Sequence, residues 1–480
     1  MSSPAPTPVI VWFRKDLRLG DNLALKAACD SGRPVVCLYI REPQGLGTGP
    51  LGPAQDWWLH HSLTALGHAL AARGSRLVLR SGDPLTILDA IVAETGAGAI
   101  HWNRRHDPAG IAVDTRLKQH FKTRGLTVVS FPGQLLHDPQ KLVTGGGGPY
   151  RVFTPFWRAL LRDGEPRPPV EAPAHVAPPT GKPASEDLRE WGLLPSKPDW
   201  AASFTEMWTP GEAGALDKMD EFVEGGLEGY RAGRDFPARP STSLLSPHLA
   251  LGEISPFRLW HAARRPDDAG SDDLMHFRKE LAWREFCYHL LFHFPDLPRK
   301  NWNERFDAFP WHSDDERFAL WTRGLTGYPI VDAGMRQLWH HGWMHNRVRM
   351  IVASFLIKHL MIDWRSGEEW FRHTLVDADP AANAANWQWV AGSGADAAPF
   401  FRIFNPVLQS EKFDPEGDYI RRYVPELRGL SNALIHRPFA APKEALARAG
   451  VVLGQTYPFP IVDHATARTR ALEAYKALRD

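Results

Sequence analysis

A chain of 480 residues with 56 Lys and Arg against 55 Asp and Glu carries a formal net charge of +1, so any nucleic-acid contact has to come from a local basic patch. Three scattered cysteines (Cys29, Cys37, Cys287) supply neither a disulfide framework nor a zinc or iron–sulfur pattern, and no apolar run approaches membrane-spanning length. The length has room for two or three domains, the short polar start MSSPAPTP does not read as a signal peptide, and a soluble protein of a reducing compartment is the expectation.

Residues 9–135 alternate strand and helix signals. Val9–Arg14, Val35–Ile40, Arg76–Arg80, Ala99–Asn103 and Thr127–Phe131 read as buried strands, with amphipathic segments such as Trp57–Arg73, Pro84–Glu94 and Ile111–Arg124 between them. That rhythm predicts βαβ units and a doubly wound parallel sheet. Gly47, Gly49 and Gly52 match G-x-G-x-x-G formally, but the match follows the second strand in a Pro-containing loop and no acidic partner stands about 20 residues on, so a dinucleotide site has little support. Gly145–Gly148 reads as a turn.

Residues 163–200 are Pro-rich and weakly periodic, as expected of a linker. From about 205 onward the pattern is helical: Phe277–Phe294 and His345–Trp364 show apolar spacing near 3.6, and a last amphipathic helix is expected near Thr466–Leu478. The nineteen Trp lean toward this half, although each indole brings an N–H to satisfy, which Leu or Ile would not.

Four stretches of this half carry chemistry. Tyr230–Pro247 ends in Ser241-Thr242-Ser243 and Ser246, hydroxyls suited either to a phosphate or to an ordinary capped turn. In Phe277–Phe286, Glu280, Trp283 and Arg284 share a helix face, and in Trp343–Met350 so do Asn346, Arg349 and Met350. The densest stretch, Trp364–Pro406, sets four Trp, three Asp and three Asn among Ala and Gly. There Asp379 followed by Pro380 opens a helix, and Asp379, Asn383 and Trp387 fall on one face. The bland reading of each is a salt-bridged or capped core helix. Together they point to a pocket for a large, flat, phosphorylated molecule.

VWFRKDLRLGDN (Val11–Asn22), TGYPIVDAGMRQLWHHGWMHNRVRM (Thr326–Met350) and the stretch through FFRIFNP resemble the photolyase/cryptochrome family over essentially the whole chain. The resemblance implies an α/β antenna domain (1–135), an interdomain linker (136–204) and an all-α, FAD-binding catalytic domain (205–480). Within the family, Asn383 at the position facing the flavin's redox nitrogen favours a photolyase for cyclobutane pyrimidine dimers, because plant cryptochromes typically carry Asp there. An amide can donate to a reduced, anionic flavin without adding charge. WWLHHSL (Trp57–Leu63) is closer to plant cryptochromes, a mixture similar to class III bacterial photolyases.

Carried over residue by residue, the resemblance implies that Tyr230, Thr242, Ser243, Leu244, Leu245 and Ser246 hold the pyrophosphate and ribityl side of FAD. Arg284, Asn346, Asp377, Asp379 and Asn383 would line its rings, with Arg349 paired to Asp377. Glu280, Trp283, Asn346, Met350 and Trp389 would contact the lesion, Arg234 and Arg402 the DNA phosphates. Trp387, Trp364 and Trp311 would pass electrons to the flavin. An antenna pigment, 5,10-methenyltetrahydrofolate, is expected near Glu42, Trp57 and Trp58, of which the two adjoining indoles cannot face the same way. The implied activity is light-driven dimer repair by a monomer on UV-damaged DNA in the bacterial cytoplasm, at the nucleoid. A signalling cryptochrome without repair is the alternative.

Overall fold

The computed structural model describes residues 6–42, 51–263, 271–397 and 402–478. Gly47 and Gly49 of the discounted glycine motif lie outside these residues. Two compact units are present, one made of Met1–Trp200, Trp208–Glu228 and Ser243–Pro295, the other of Ala201–Met207, Gly229–Thr242 and Asp296–Asp480.

The first unit is built on five strands, β1 (Val9–Phe13), β2 (Val35–Arg41), β3 (Leu77–Ser81), β4 (Ala99–Asn103) and β5 (Thr127–Phe131), all parallel in the order β3-β2-β1-β4-β5. Every side chain of β1 and β4 is buried, as a sheet covered on both faces requires. The connecting helices Pro53–Ala71, Pro84–Thr95 and Pro108–Thr123 each start with Pro at the first turn, and Asp83 and Asp107 cap two of them.

The order reverses between β1 and β4, where open α/β sheets take ligands beyond the strands' carboxyl ends. Here that crevice is occupied by the protein's own charges. Arg14 pairs with Asp114 at 2.5 Å, and Arg105 holds Glu42 at 2.8 Å. Helix Asp272–His293 completes this unit, and the segment 136–204 contributes the helix Phe153–Arg162.

The second unit is helical, and its core gathers Trp321, Trp364, Phe371 and Trp387, with Trp311 and Trp389 packed against it. The helix expected over His345–Trp364 is not continuous. Asn346–Ser354 runs into a π turn at Phe355–His359, Met361 takes a left-handed φ of 56°, and a new helix starts at Trp364. Apolar spacing carries across this break because both sides are buried; the π turn shifts the register between them. Helix Pro380–Ala391 follows, and helix His464–Ala477 closes the described chain. Among the described residues no helix is long and apolar enough to cross a membrane, and no group of His, Cys, Asp and Glu could hold a metal ion.

Candidate functional site

Helix Pro380–Ala391 positions the densest set of expected residues. Asp379 is its N-cap, accepting from the backbone N–H of Ala381 (3.0 Å) and Ala382 (2.8 Å). One turn on, Asn383 donates its amide nitrogen to Glu368 twice, to the carboxylate at 2.8 Å and to the backbone carbonyl at 3.0 Å. Both amide hydrogens are therefore used within the protein. The group Asn383 retains for a ligand is its carbonyl oxygen, so the expectation of a free amide donor is corrected: Asn383 presents an acceptor. Glu368 was not singled out in the sequence, where it is one of two adjacent glutamates in a polar helix. Burial pushes its carboxyl up to about 7 against the opposing pull of the Asn383 bond.

Beside this helix, Arg349 donates to Asp377 at 2.8 Å and to the Met344 carbonyl at 2.7 Å. The Asp377 side chain is only 2% exposed and Arg349 25%, so the pair is a part-buried, charge-assisted contact. Asn346 opens its helix at the surface, Met350 takes a 3.7 Å contact from Arg347, and Arg347 in turn holds Asp235 at 2.7 Å. His345, also missed in the sequence, caps that helix; burial pulls its pKa down to about 4, and its buried Nε2 finds no partner. Arg234 lies over the ring of buried Tyr230 at 5.3 Å. Arg402 is exposed, and its carbonyl takes the ammonium of Lys358, whose pKa burial draws down to about 7.

The Trp positions separate. Trp387 is 2% exposed and Trp364 fully buried, its indole donating to Asn301 at 2.9 Å; Trp311 is half-buried with its ring 4.4 Å from Phe309. Gly367, on the helix that begins at Trp364, faces the Trp387 ring so closely that a Cβ there would collide with it. A file of rings leaves Trp387. Trp321 stands at 6.4 Å, Phe318 at 5.7 Å from Trp321, Trp370 at 6.5 Å from Phe318, and Trp339 at 6.4 Å from Trp370. Apart from Phe318 and Trp321, which share one helix, its members sit on different helices, so spacing gives no signal of the whole file.

In the other unit, Ser243–Ser246 form a turn in which Leu244 adopts φ 54°, a conformation a branched side chain rarely takes. The strained turn lies between the hydroxyls of Ser243 and Ser246, beside buried Leu245. On helix Asp272–His293, Trp283 stacks on Phe153 at 3.7 Å with planes 6° apart, so one indole face is taken. Glu280 is half-buried one turn earlier. Arg284 donates to the Gln134 carbonyl at 3.0 Å. Trp57 and Trp58 are both buried: Trp57 lies 4.5 Å from His61, while Trp58 packs on Trp208 and His248 and donates to Glu253.

The family model for the FAD binding domain of DNA photolyase matches residues 277–477, and the model for DNA photolyase matches residues 9–174. The chain belongs to the DNA photolyase family. This photolyase-family chain is 65% identical to a deoxyribodipyrimidine photo-lyase of Agrobacterium fabrum over 98% of both chains. It is 36% identical to cryptochrome-1 of Arabidopsis thaliana, with 97% of this chain and 70% of the relative covered. A crystal structure of a bacterial class III photolyase from Agrobacterium tumefaciens superposes with a TM-score of 0.97 at 65% identity, covering 100% of this chain and 99% of that one.

Proposed function

We propose that this protein is a class III-like deoxyribodipyrimidine photo-lyase, a carbon–carbon lyase that repairs cyclobutane pyrimidine dimers in DNA with light. The observation that carries the reading is the near-complete, 65% identical match to a photo-lyase, combined with the Asn383–Glu368 and Arg349–Asp377 contacts at the expected flavin positions. Bound FAD, reduced and anionic, supplies on illumination the electron that opens the dimer's ring and takes it back afterwards. Under this reading the functional division is 1–135 antenna, 136–204 linker and 205–480 catalytic domain.

The chain's own residues do the rest. Thr242–Ser246 with Tyr230 hold the phosphates and ribityl chain; Arg284, Asn346, Asp377, Asp379 and Asn383 line the rings. Arg349 holds Asp377 in a charge-assisted contact, which orders the ring edge without leaving net charge there. Asn383, locked by Glu368, offers its carbonyl to an N–H of the ring. Asp379 caps its helix, and a carboxylate, with two oxygens and several acceptor sites, can serve cap and cofactor together.

Chemistry on a base requires its removal from the stack, and a damaged pair lowers the cost. Arg234 and Arg402 bind phosphates without reading sequence, so affinity falls with salt. Trp283, its far face backed by Phe153, and Trp389 hold the flipped dimer by stacking, with Met350 and Asn346 beside it. Glu280 hydrogen-bonds a pyrimidine edge. Trp387 passes electrons inward, fed by Trp364 and Trp311 and by the file through Trp321. The folate antenna, 5,10-methenyltetrahydrofolate, is placed at the first domain. Of its expected contacts, Glu42 is paired to Arg105, and Trp57 and Trp58 are both buried. The protein acts as a monomer on DNA at the bacterial nucleoid. Illumination of the reduced protein with dimer-containing DNA tests the reading.

A further inference from the structure

Trp364 is fully buried, and its indole N–H donates to the side-chain oxygen of Asn301 at 2.9 Å. Asn301 is itself buried, and its amide nitrogen donates to Asp307 at 2.7 Å. These partners fix the orientation of the amide. An indole can only donate and a carboxylate can only accept, so Oδ1 faces Trp364 and Nδ2 faces Asp307. Asp307 lies in the one-turn helix Glu304–Ala308 and is exposed. An amide therefore stands between the buried indole and the carboxylate.

A buried indole needs only a hydrogen-bond acceptor, and for packing alone a carboxylate would serve as well as an amide. The two differ once Trp364 has lost an electron. An oxidised indole holds its N–H proton far less tightly, and a carboxylate in contact would take it. The neutral radical left behind would strand the electron deficit on a ring sealed from solvent. Arg365 sharpens the contrast. Its guanidinium lies 4.8 Å from the centre of the Trp364 ring, and although Asp363 pairs with it at 2.9 Å, positive charge so close favours release of the proton. An amide oxygen is too weak a base to keep that proton.

We propose that Asn301 is a positioning residue of the electron relay, which keeps the proton on oxidised Trp364 so that the electron deficit moves on to Trp311. This rests on the reading of Trp364 as a relay. Trp364 gives one electron to oxidised Trp387, keeps its N–H, and takes one electron from Trp311. No proton is transferred in the step, and no covalent bond forms or breaks. Asp307 holds the amide from behind and so decides which end meets the indole.

Exchanging the two groups tests this. Asn301→Asp combined with Asp307→Asn conserves charge, size and both hydrogen bonds but sets a carboxylate against the indole. Flavin-loaded proteins are compared by flash photolysis in a Trp311→Phe background, where the deficit on this branch stops at Trp364. The part of the tryptophan signal that a further Trp364→Phe removes is the Trp364 radical. Without the exchange it has the absorption of the tryptophan radical cation; with the exchange that absorption is lost and the neutral radical replaces it. Asp307→Asn alone leaves the amide on the indole and keeps the cation. In the wild type, the step from Trp364 to Trp311 runs at the same rate in water and in deuterium oxide, a measurement that decides the matter even where the exchanged variant does not fold. A cation in the folded exchanged protein, a neutral Trp364 radical with Asn301 in place, or a slower step in deuterium oxide overturns the proposal. A signal with no part from Trp364 overturns the relay reading, and the proposal with it.

Discussion

Asn383 spends both amide hydrogens on Glu368, one on the carboxylate at 2.8 Å and one on the backbone carbonyl at 3.0 Å. The bond ties helix Pro380–Ala391 to helix Trp364–Thr374 and decides which end of the amide a ligand meets. It also makes Glu368 a titrating group of the fold. Burial raises its pKa from the usual 4.5 to about 7, so the folded state prefers the protonated carboxyl.

The stabilisation linked to this group is complete below pH 4.5 and is lost as the pH rises through 7, a difference of about 3 kcal/mol at the full shift. Glu368→Gln, which keeps the shape and cannot ionise, should flatten the loss of stability between those two values. Urea unfolding of both proteins across that window measures it. An equal slope in the variant would assign the pH dependence elsewhere.

Gly367→Ala should destabilise the protein by about 1–3 kcal/mol, because a methyl group there runs into the Trp387 ring in a filled core. A lowered urea midpoint with an unchanged m value is the expected result, accompanied by altered Trp387 photochemistry. A neutral substitution would mean that the two helices separate at little cost.

Trp387→Phe should abolish light-driven flavin reduction while repair by chemically reduced protein persists, since the proposed relay through Trp364 and the ring file through Trp321 both begin at that indole. Trp364→Phe should only slow the photoreduction, because Trp321 still leads to the surface. Flash photolysis of the two variants decides between one file and two; complete loss in Trp364→Phe would leave the second file idle.

Trp283→Ala should weaken dimer binding by roughly 1–3 kcal/mol, the worth of one base–aromatic stack, with the flavin spectrum intact. Glu280→Ala should lower dimer affinity or repair yield, again with flavin retained. Loss of flavin from either variant would move that residue from the lesion to the cofactor.

The sheet was legible because β1 and β4 are continuous apolar runs, and the cap at Asp379 was legible because Asp followed by Pro has one good local reading. The break after Ser354 was not, since a π turn leaves apolar residues on both sides and buries Lys358 among them. The partner of Asn383 was invisible for a different reason. Glu368 stands 15 positions earlier in chain order, on another helix, and its neighbour Glu369 looks identical in sequence yet binds Arg372. The file through Trp321, Phe318, Trp370 and Trp339 likewise exists only once three helices pack, and no periodicity marks it.

The central claim is tested most directly by mixing reduced, flavin-loaded protein with single-stranded DNA that contains cyclobutane pyrimidine dimers and illuminating with near-ultraviolet or blue light. Pyrimidine absorbance should return under light, stay flat in the dark, and return more slowly for Glu280→Ala. Flavin-loaded protein that binds the DNA yet restores no absorbance in the light would contradict the repair reading and favour a photoreceptor.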